Sequence, residues 1–399
     1  MRRLTLVALL VTGCGRGSDE RGRFEPAGPM TLPRVRHSAT LLADGRVLVA
    51  GGATWRERSL PDGARTFLQP VTASELWDPV RRKWTPTGDM SGERQDHTAT
   101  RLADGRVLVC CGNSREGLQL DAVGTAELWS PATGQWTETA SLSPPRAEHA
   151  ATLLRDGRVL VTGGQTMSRR LRTASVWDPS SGRWSSVASM PSPRVDHEMR
   201  VMKDGRVLVF GGVGDDAEPF PLHALIWDPA LDVWSRTEAL DPAYRRARYT
   251  PLKDGDVLLM TEHPQFGPPG TVQTAVWNEV GGSPRPAGDF ALGRRDNVLT
   301  LLADGQVLST GGQVHLRTTP SMIERWLFDG VPDVVKSSLF DEAELFDPNT
   351  GRWTRVDDLF EPRRFHRITP LPDGSALLTG GAGTSHCLNT TELWVPTPR

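Results

Sequence analysis

With 399 residues, 38% of them hydrophobic and 24% charged, the chain has the bulk composition of a soluble globular protein. Its 46 basic residues against 48 acidic ones leave a net charge of −2, so no global field recruits nucleic acid. The 40 Gly and 31 Pro fall at repeat turns and not in low-complexity tracts, which excludes a disordered or collagenous chain.

The first element in chain order is a leader. Arg2 and Arg3 precede the apolar run Leu4 to Val11, and Thr12-Gly13-Cys14 follows. A positive start, a short apolar stretch and small residues before a cut describe a secretory signal over residues 1–13, too short to span a bilayer. Its ending resembles a bacterial lipobox, which implies lipidation of Cys14. A plain signal peptide with a chance Cys is the competing reading. Residues 14–23 are expected to be a tether, and the implied location is the bacterial cell envelope, with the outer membrane as the expected anchor.

From residue 24 to 399 one cassette is read seven times. Its clearest copy runs from His149 through Asp156-Gly157 to Gly163-Gly164, then Val176-Trp177-Asp178-Pro179 and Trp184. Asp44, Asp104, Asp156, Asp204, Asp254, Asp304 and Asp373 are each followed by Gly. A period of roughly 50 residues built from short apolar runs and turn signals marks a propeller or solenoid. Each copy reads as four strands. In copy one these are His37 to Leu42, Arg46 to Val49 ending at Gly51-Gly52, Ser74 to Trp77, and a fourth opened by Trp84. The Asp-Gly pair suits a tight hairpin turn of positive φ. Paired aromatics such as Trp77/Trp84 and Trp177/Trp184 are expected to fill the gap between blades.

The last copy stops after Glu392-Leu393-Trp394, and Phe24 stands at the fourth-strand distance before Asp44. Phe24 to Met30 is therefore expected to supply the outer strand of the seventh blade. Strand direction then puts the Asp-Gly turns on one face and the Gly-Gly loops on the other, with the tether under the Asp-Gly face. Copy five departs most, with Met260-Thr261 for Gly-Gly, and is expected to be the loosest blade. The long loops lie in copy one, around Ala53 to Thr72, and copy six, around Gln313 to Asp341. Within the latter, Ser321-x-x-Glu324 reads as a capping box, and the apolar stretch with Trp326 as a flap or a partner-docking surface.

This layout resembles the kelch repeat, within the galactose oxidase-like propeller superfamily and of bacterial lipoprotein type. The fold expected is all-β, a seven-bladed kelch-type propeller closed by an N-terminal strand latch. Galactose oxidase itself needs a Tyr-His pair, a second Tyr and a thioether-forming Cys. Here Phe365-His366 stands nearest that pattern and the two tyrosines are Tyr244 and Tyr249, so no copper radical chemistry is implied. The kelch-type sialic-acid epimerases find no marked site here either.

Arg recurs ten residues before Asp-Gly and His seven before, a repetition that reads as structural. Asp96, Glu148, Asp196 and Asp296 follow four of these arginines by two. Arg34, Arg36, Arg363 and Arg364, with Arg56 and Arg58 from the copy-one loop, suggest a basic patch at the seam of copies one and seven. A solvated surface is the plainer account. Cys110 and Cys111 are expected on opposite faces of a strand end, with either a bridge to Cys387 or simple filling of a glycine-type position in view. No metal spacing, cofactor loop or nucleophile elbow is present. The function expected is a non-catalytic binding scaffold at the cell envelope for an unknown protein or glycan. The alternative is a carbohydrate-active or oxidoreductase-type enzyme working at the top of the channel.

Overall fold

The structure is a computed structural model, described over residues 21–397 apart from 61–62, 117–118, 216–220, 222, 240–243, 245–246, 262–271, 279–282, 291–293 and 319–333. Cys14, the capping-box segment and Trp326 lie outside the described residues.

The apolar runs and their turns resolve into seven four-stranded antiparallel sheets, one per cassette. The first strand of the chain, β1 (Gly22–Pro26), belongs to the last of these blades. In blade one, β2 (Ser38–Leu41) pairs with β3 (Val47–Ala50). A two-stranded ribbon, β4 (Ala53–Leu60) and β5 (Gly63–Pro70), then rises before β6 (Ser74–Asp78) and β7 (Lys83–Pro86) complete the sheet. The first four residues of the second strand of each blade are buried and mostly apolar, as in Val47–Ala50 and Val159–Thr162, because they are covered on both faces by neighbouring blades. Leu160 and Val176 of blade three, for example, cluster with Val207, Val209 and Trp227 of blade four.

The turns show how the cassette is punctuated. Gly45 N donates to Leu42 O at 3.2 Å, and Leu42 N to Arg46 O at 2.8 Å. Only Gly45 of the Asp-Gly pair has a positive φ, 86°. The turn is therefore a tight turn with a glycine bulge and not the two-residue primed type, which needs positive φ at both positions. The Asp44 carboxylate accepts from the Arg46 backbone and guanidinium at 3.1 and 2.7 Å, so Asp-Gly-Arg fixes the bend by side chain as well as backbone.

The latch closes the ring. β1 pairs with Thr391–Pro396, Phe24 opposite Trp394, their rings 5.2 Å apart. It starts at Gly22, inside the segment expected to be tether, and ends at Pro26, short of Met30. Gly22 pairs with Pro396, which lies against Gly374 of the last Asp-Gly turn. The chain thus joins the ring at the Asp-Gly face.

Blade five keeps four strands despite Met260-Thr261, with a register shift between Gln273 and Ala275. Three ribbons extend from the Gly-Gly face: β4–β5, Asn113–Glu116 with Gln119–Ala122, and Gln313–Thr318 with Val334–Leu339. The second was not anticipated; copy two is only slightly longer than copies three to five. It leans on the first, the Arg115 guanidinium 5.0 Å from the Phe67 ring centre. Among the described residues, no helix is long and apolar enough to cross a membrane.

Candidate functional site at the channel mouth

The four residues leading into each inner strand divide their work. In copy one these are Arg34, Val35, Arg36 and His37. Arg34 is fully buried; its guanidinium donates to Gly51 O, Ala73 O and the Glu75 carboxylate at 3.0, 2.8 and 2.6 Å. Its carbonyl accepts from Gly381 N of blade seven at 2.9 Å. Val35 forms a single antiparallel bridge to Ala53. His37 reaches back to blade seven, Nε2 lying 2.8 Å from the Thr379 hydroxyl.

The same joints recur. Arg94 pairs with Glu127 at 2.7 Å and Arg363 with Glu392 at 2.5 Å. His97 meets Ser38, His149 meets Thr98, His197 meets Thr162 and His366 meets Thr310, at 2.7 to 2.9 Å. Burial and the nearby arginines hold His37, His97 and His366 well below the usual imidazole range, and His197 down at about 3. All five histidines are built-in joints between blades, and His37, His97, His197 and His366 are held neutral.

The residue between the bridge and the His is different. Arg36, Asp96, Glu148, Asp196, Asp296 and Phe365 occupy one position in six copies, all with φ between 53° and 57°. Left-handed backbone costs a non-glycine residue about 1–2 kcal/mol. Here the bridge on one side and the inner strand on the other impose it. The kink turns these side chains into the channel, where they line a cavity of about 550 Å³. Backbone bonds run from blade to blade along this ring: Asp96 N to Arg36 O, Glu148 N to Asp96 O, Asp196 N to Glu148 O.

Residues two further along form a second tier, in which Glu198, Arg248 and Arg367 carry charge and also line the cavity. Charge is sorted by blade. Asp96, Glu148, Asp196 and Glu198 stand on blades two to four. Arg248, Arg295 and Arg367 stand on blades five, six and seven, and Arg36 on blade one. Asp296 lies within the basic half, accepting from Gln313 at 2.5 Å with Arg248 at 3.7 Å. Burial and the adjacent Asp196 and Asp96 push the Glu148 carboxyl up to about 7. Burial alone raises Glu198 to about 7, against the pull of Arg248 and Arg367. Glu198 is exposed to the channel cavity yet surrounded by protein, which is how an accessible carboxylate comes to be poorly solvated.

The residues expected to form the seam patch separate. Arg34 and Arg363 are withdrawn from solvent in their ion pairs, so neither faces a ligand. Arg36 and Arg364 do meet, on one ring: their guanidinium carbons lie 5.2 and 4.8 Å from the centre of Phe365. Arg36 also pairs with Asp96 at 3.0 Å. Arg56 is exposed on the blade-one ribbon, and the Arg58 side chain lies outside the described residues. Gly51, Gly52, Gly163 and Gly164 all take positive φ. A Cβ on Gly163 would stand 2.4 Å from Arg194 O. Trp77 faces Trp84 and Trp177 faces Trp184 across the outer strand pair. Tyr249 is core, 5.2 Å from Phe210 and with burial pushing its hydroxyl up to about 12.

Glu198 and Arg248 were missed from sequence. Their signal is a charged residue directly after the repeated His position, where Ser38 and Ala150 stand elsewhere.

Residues 18–212, through the Gly-Gly of blade four, match the family model described as the KLHDC2/KLHL20/DRC7 Kelch-repeats domain. An F-box/kelch-repeat protein of Arabidopsis thaliana is 29% identical over 151 residues, 35% of this chain and 30% of that protein. Kelch-like protein 36 of Rattus norvegicus is 30% identical over 135 residues, 34% of this chain and 20% of that protein. The chain spans under a third of the length of these relatives. Among solved structures, a fungal alcohol oxidase of the AA5 family in complex with copper superposes with a TM-score of 0.65 at 16% identity, covering 94% of this chain and 76% of that one. At that identity the likeness shows the fold alone. The described residues form a seven-bladed propeller, and just under half of the chain matches the kelch-repeat model.

Proposed function

We propose that this kelch-type propeller is a non-catalytic binding scaffold of the cell envelope, tethered through Cys14, whose channel mouth receives a charged segment of a partner protein. Kelch domains generally mediate protein interactions, which supports the class. The observation that carries the site is the ring of six left-handed, non-glycine residues aimed into one cavity. Glycine would relieve that strain at every one of them, so the side chains are kept for what they present. The acidic half suits a basic group and the basic half a carboxylate, so a segment bearing both signs fits best. The ribbons of blades one and two stand on the same face and add area around the mouth.

The test compares two double variants tagged in the native envelope. Arg36→Glu with Arg364→Glu reverses the mouth; Arg106→Glu with Arg158→Glu reverses the Asp-Gly face. The reading expects one set of crosslinked partners lost only in the first. Equal recovery by both variants sinks it. Radiolabelled fatty acid entering the wild type but not Cys14→Ser checks the tether.

A second reading has its own observation: Glu148 and Glu198 both sit near 7 on one cavity, as an acid and base pair would. Hydrolysis of a glycoside panel by the wild type, abolished by Glu198→Gln, would favour an enzyme over a scaffold.

A further inference from the structure

At the first position of the Gly-Gly pair blade five departs from glycine, with Thr261, and so does blade two. Gly51, Gly163, Gly211, Gly311 and Gly380 occupy it elsewhere, and Cys111 occupies it in blade two with φ 63°. In the glycine blades an added Cβ would lie 2.4 to 2.7 Å from an atom of the next blade. Cys111 thus bears a backbone that side chains avoid, at the tightest joint in the ring. The left-handed turn also brings its thiol round beside that of Cys110, where a plain strand would send the two to opposite faces.

A third donor comes from the neighbouring blade. Cys110 Sγ lies 3.7 Å from His149 Nε2, and Cys110 Sγ, Cys111 Sγ and a ring nitrogen of His149 all fall within 4.8 Å of one another, each residue buried. Donors held about 2.0–2.3 Å from one metal lie roughly 3.5–4 Å apart, so closure needs less than about 1 Å of movement. Thr162, Thr310 and Thr379 stand where Cys110 does and give their His partners a hydroxyl; blade two substitutes a thiol. Among the described residues Arg146, buried beside the pair, bonds to Pro144 O, Gly163 O, Thr173 O and the Thr173 hydroxyl, without the carboxylate that Arg34, Arg94 and Arg363 have. An anionic centre next to it would supply that missing charge.

We infer that Cys110, Cys111 and His149 form a soft-metal site for Cu(I), joining blade two to blade three behind the channel wall. Two thiolates and an imidazole suit a thiophilic cation, and three donors suit Cu(I) better than Zn(II), which prefers four. Binding releases one proton from each thiol; His149 gives its Nε2 lone pair, exchanging the Thr98 hydroxyl for the metal. No electron is transferred. The resulting charge of −1 faces Arg146. His149 and Thr98 line the channel cavity, which provides the path inward.

The experiment is anaerobic Cu(I) competition between a chromogenic chelator and the purified full-length protein. One Cu(I) per chain is expected in the wild type and in Cys387→Ser. Cys111→Gly installs the residue of the glycine blades, so it should fold at least as well, its melting temperature up by about 2 °C. It should nonetheless bind Cu(I) more than about 100-fold weaker, beyond the range of an outer-shell loss. Zn(II) should bind more weakly than Cu(I) in the wild type. Undiminished Cu(I) binding by Cys111→Gly, no competition by the wild type, preference for Zn(II), or a Cys110–Cys111 disulfide in the freshly isolated protein would each overturn the assignment.

Discussion

Arg34 and Arg36 stand two residues apart, share a side-chain chemistry, and do opposite things. Arg34 is walled into a blade, its charge met by Glu75 and its carbonyl by the next blade. Arg36 is forced into a left-handed kink and delivered to the channel. The pattern holds around the ring. Positions bonded to a blade joint repeat nearly unchanged, since every joint poses the same packing problem. Positions on the kink vary more, carrying Arg, Asp, Glu or Phe, since no blade joint fixes their side chains. Stability and specificity are therefore interleaved along one tetrapeptide and not divided between core and loops.

The largest expected effect lies on the joint side. Arg34→Met leaves the Glu75 carboxylate buried without its partner and should cost about 3–5 kcal/mol in urea unfolding. Adding Glu75→Leu should recover most of that loss. Arg146→Met removes hydrogen bonds but strands no carboxylate, so about 1–3 kcal/mol is expected. Equal losses for Arg34→Met and Arg146→Met would show that the joint depends on hydrogen bonds alone.

On the mouth side the order reverses. Arg36→Glu with Arg364→Glu should weaken partner binding at least about tenfold, more steeply at low salt, while costing less stability than Arg34→Met, since the Arg36–Asp96 pair is partly exposed. Glu148→Gly should stabilise the fold by about 1 kcal/mol, because glycine accepts φ 54° without strain. It forfeits the bond from Gln165, and it should weaken binding of any basic ligand. A destabilised Glu148→Gly would mean that the kink serves packing, and the contrast between the two positions would fail.

The blade count and the latch were legible because Asp-Gly keeps strict phase and because one strand was missing at the end and one left over at the start. The sorting of charge was only half legible. The acids two residues after the buried arginines are plain in the sequence, but a regular strand would have placed Arg34 and Arg36 on one face. The bridge of Val35 to Ala53 and the kink after it undo that expectation. The convergence of Cys110 and Cys111 was hidden for the same reason, since a positive φ at a non-glycine residue is a property of the joint and carries no local sequence mark. Glu198, Arg248 and Arg367 belong to three different blades, and nothing short of ring closure brings them together.

One pH-dependent effect ties both halves together. Glu148 titrates at about 7 in the fold, against an ordinary 4.5. The folded state therefore holds this proton more firmly than the unfolded state does. Its contribution to stability is fully present below about pH 4.5, and it is lost as pH rises through 7. The shift amounts to about 1–3 kcal/mol after allowing for partial solvent screening. Over the same window the mouth gains negative charge, so a basic ligand should bind more tightly at pH 8 than at pH 6 while the free protein becomes less stable. Glu148→Gln should shrink both pH dependences, and adding Glu198→Gln should flatten them, because Glu198 titrates in the same window on the same cavity. Should the double variant flatten the stability profile and leave the binding profile unchanged, the ligand does not contact the acidic half, and the mouth reads its partner through the arginines of blades one, five and seven instead.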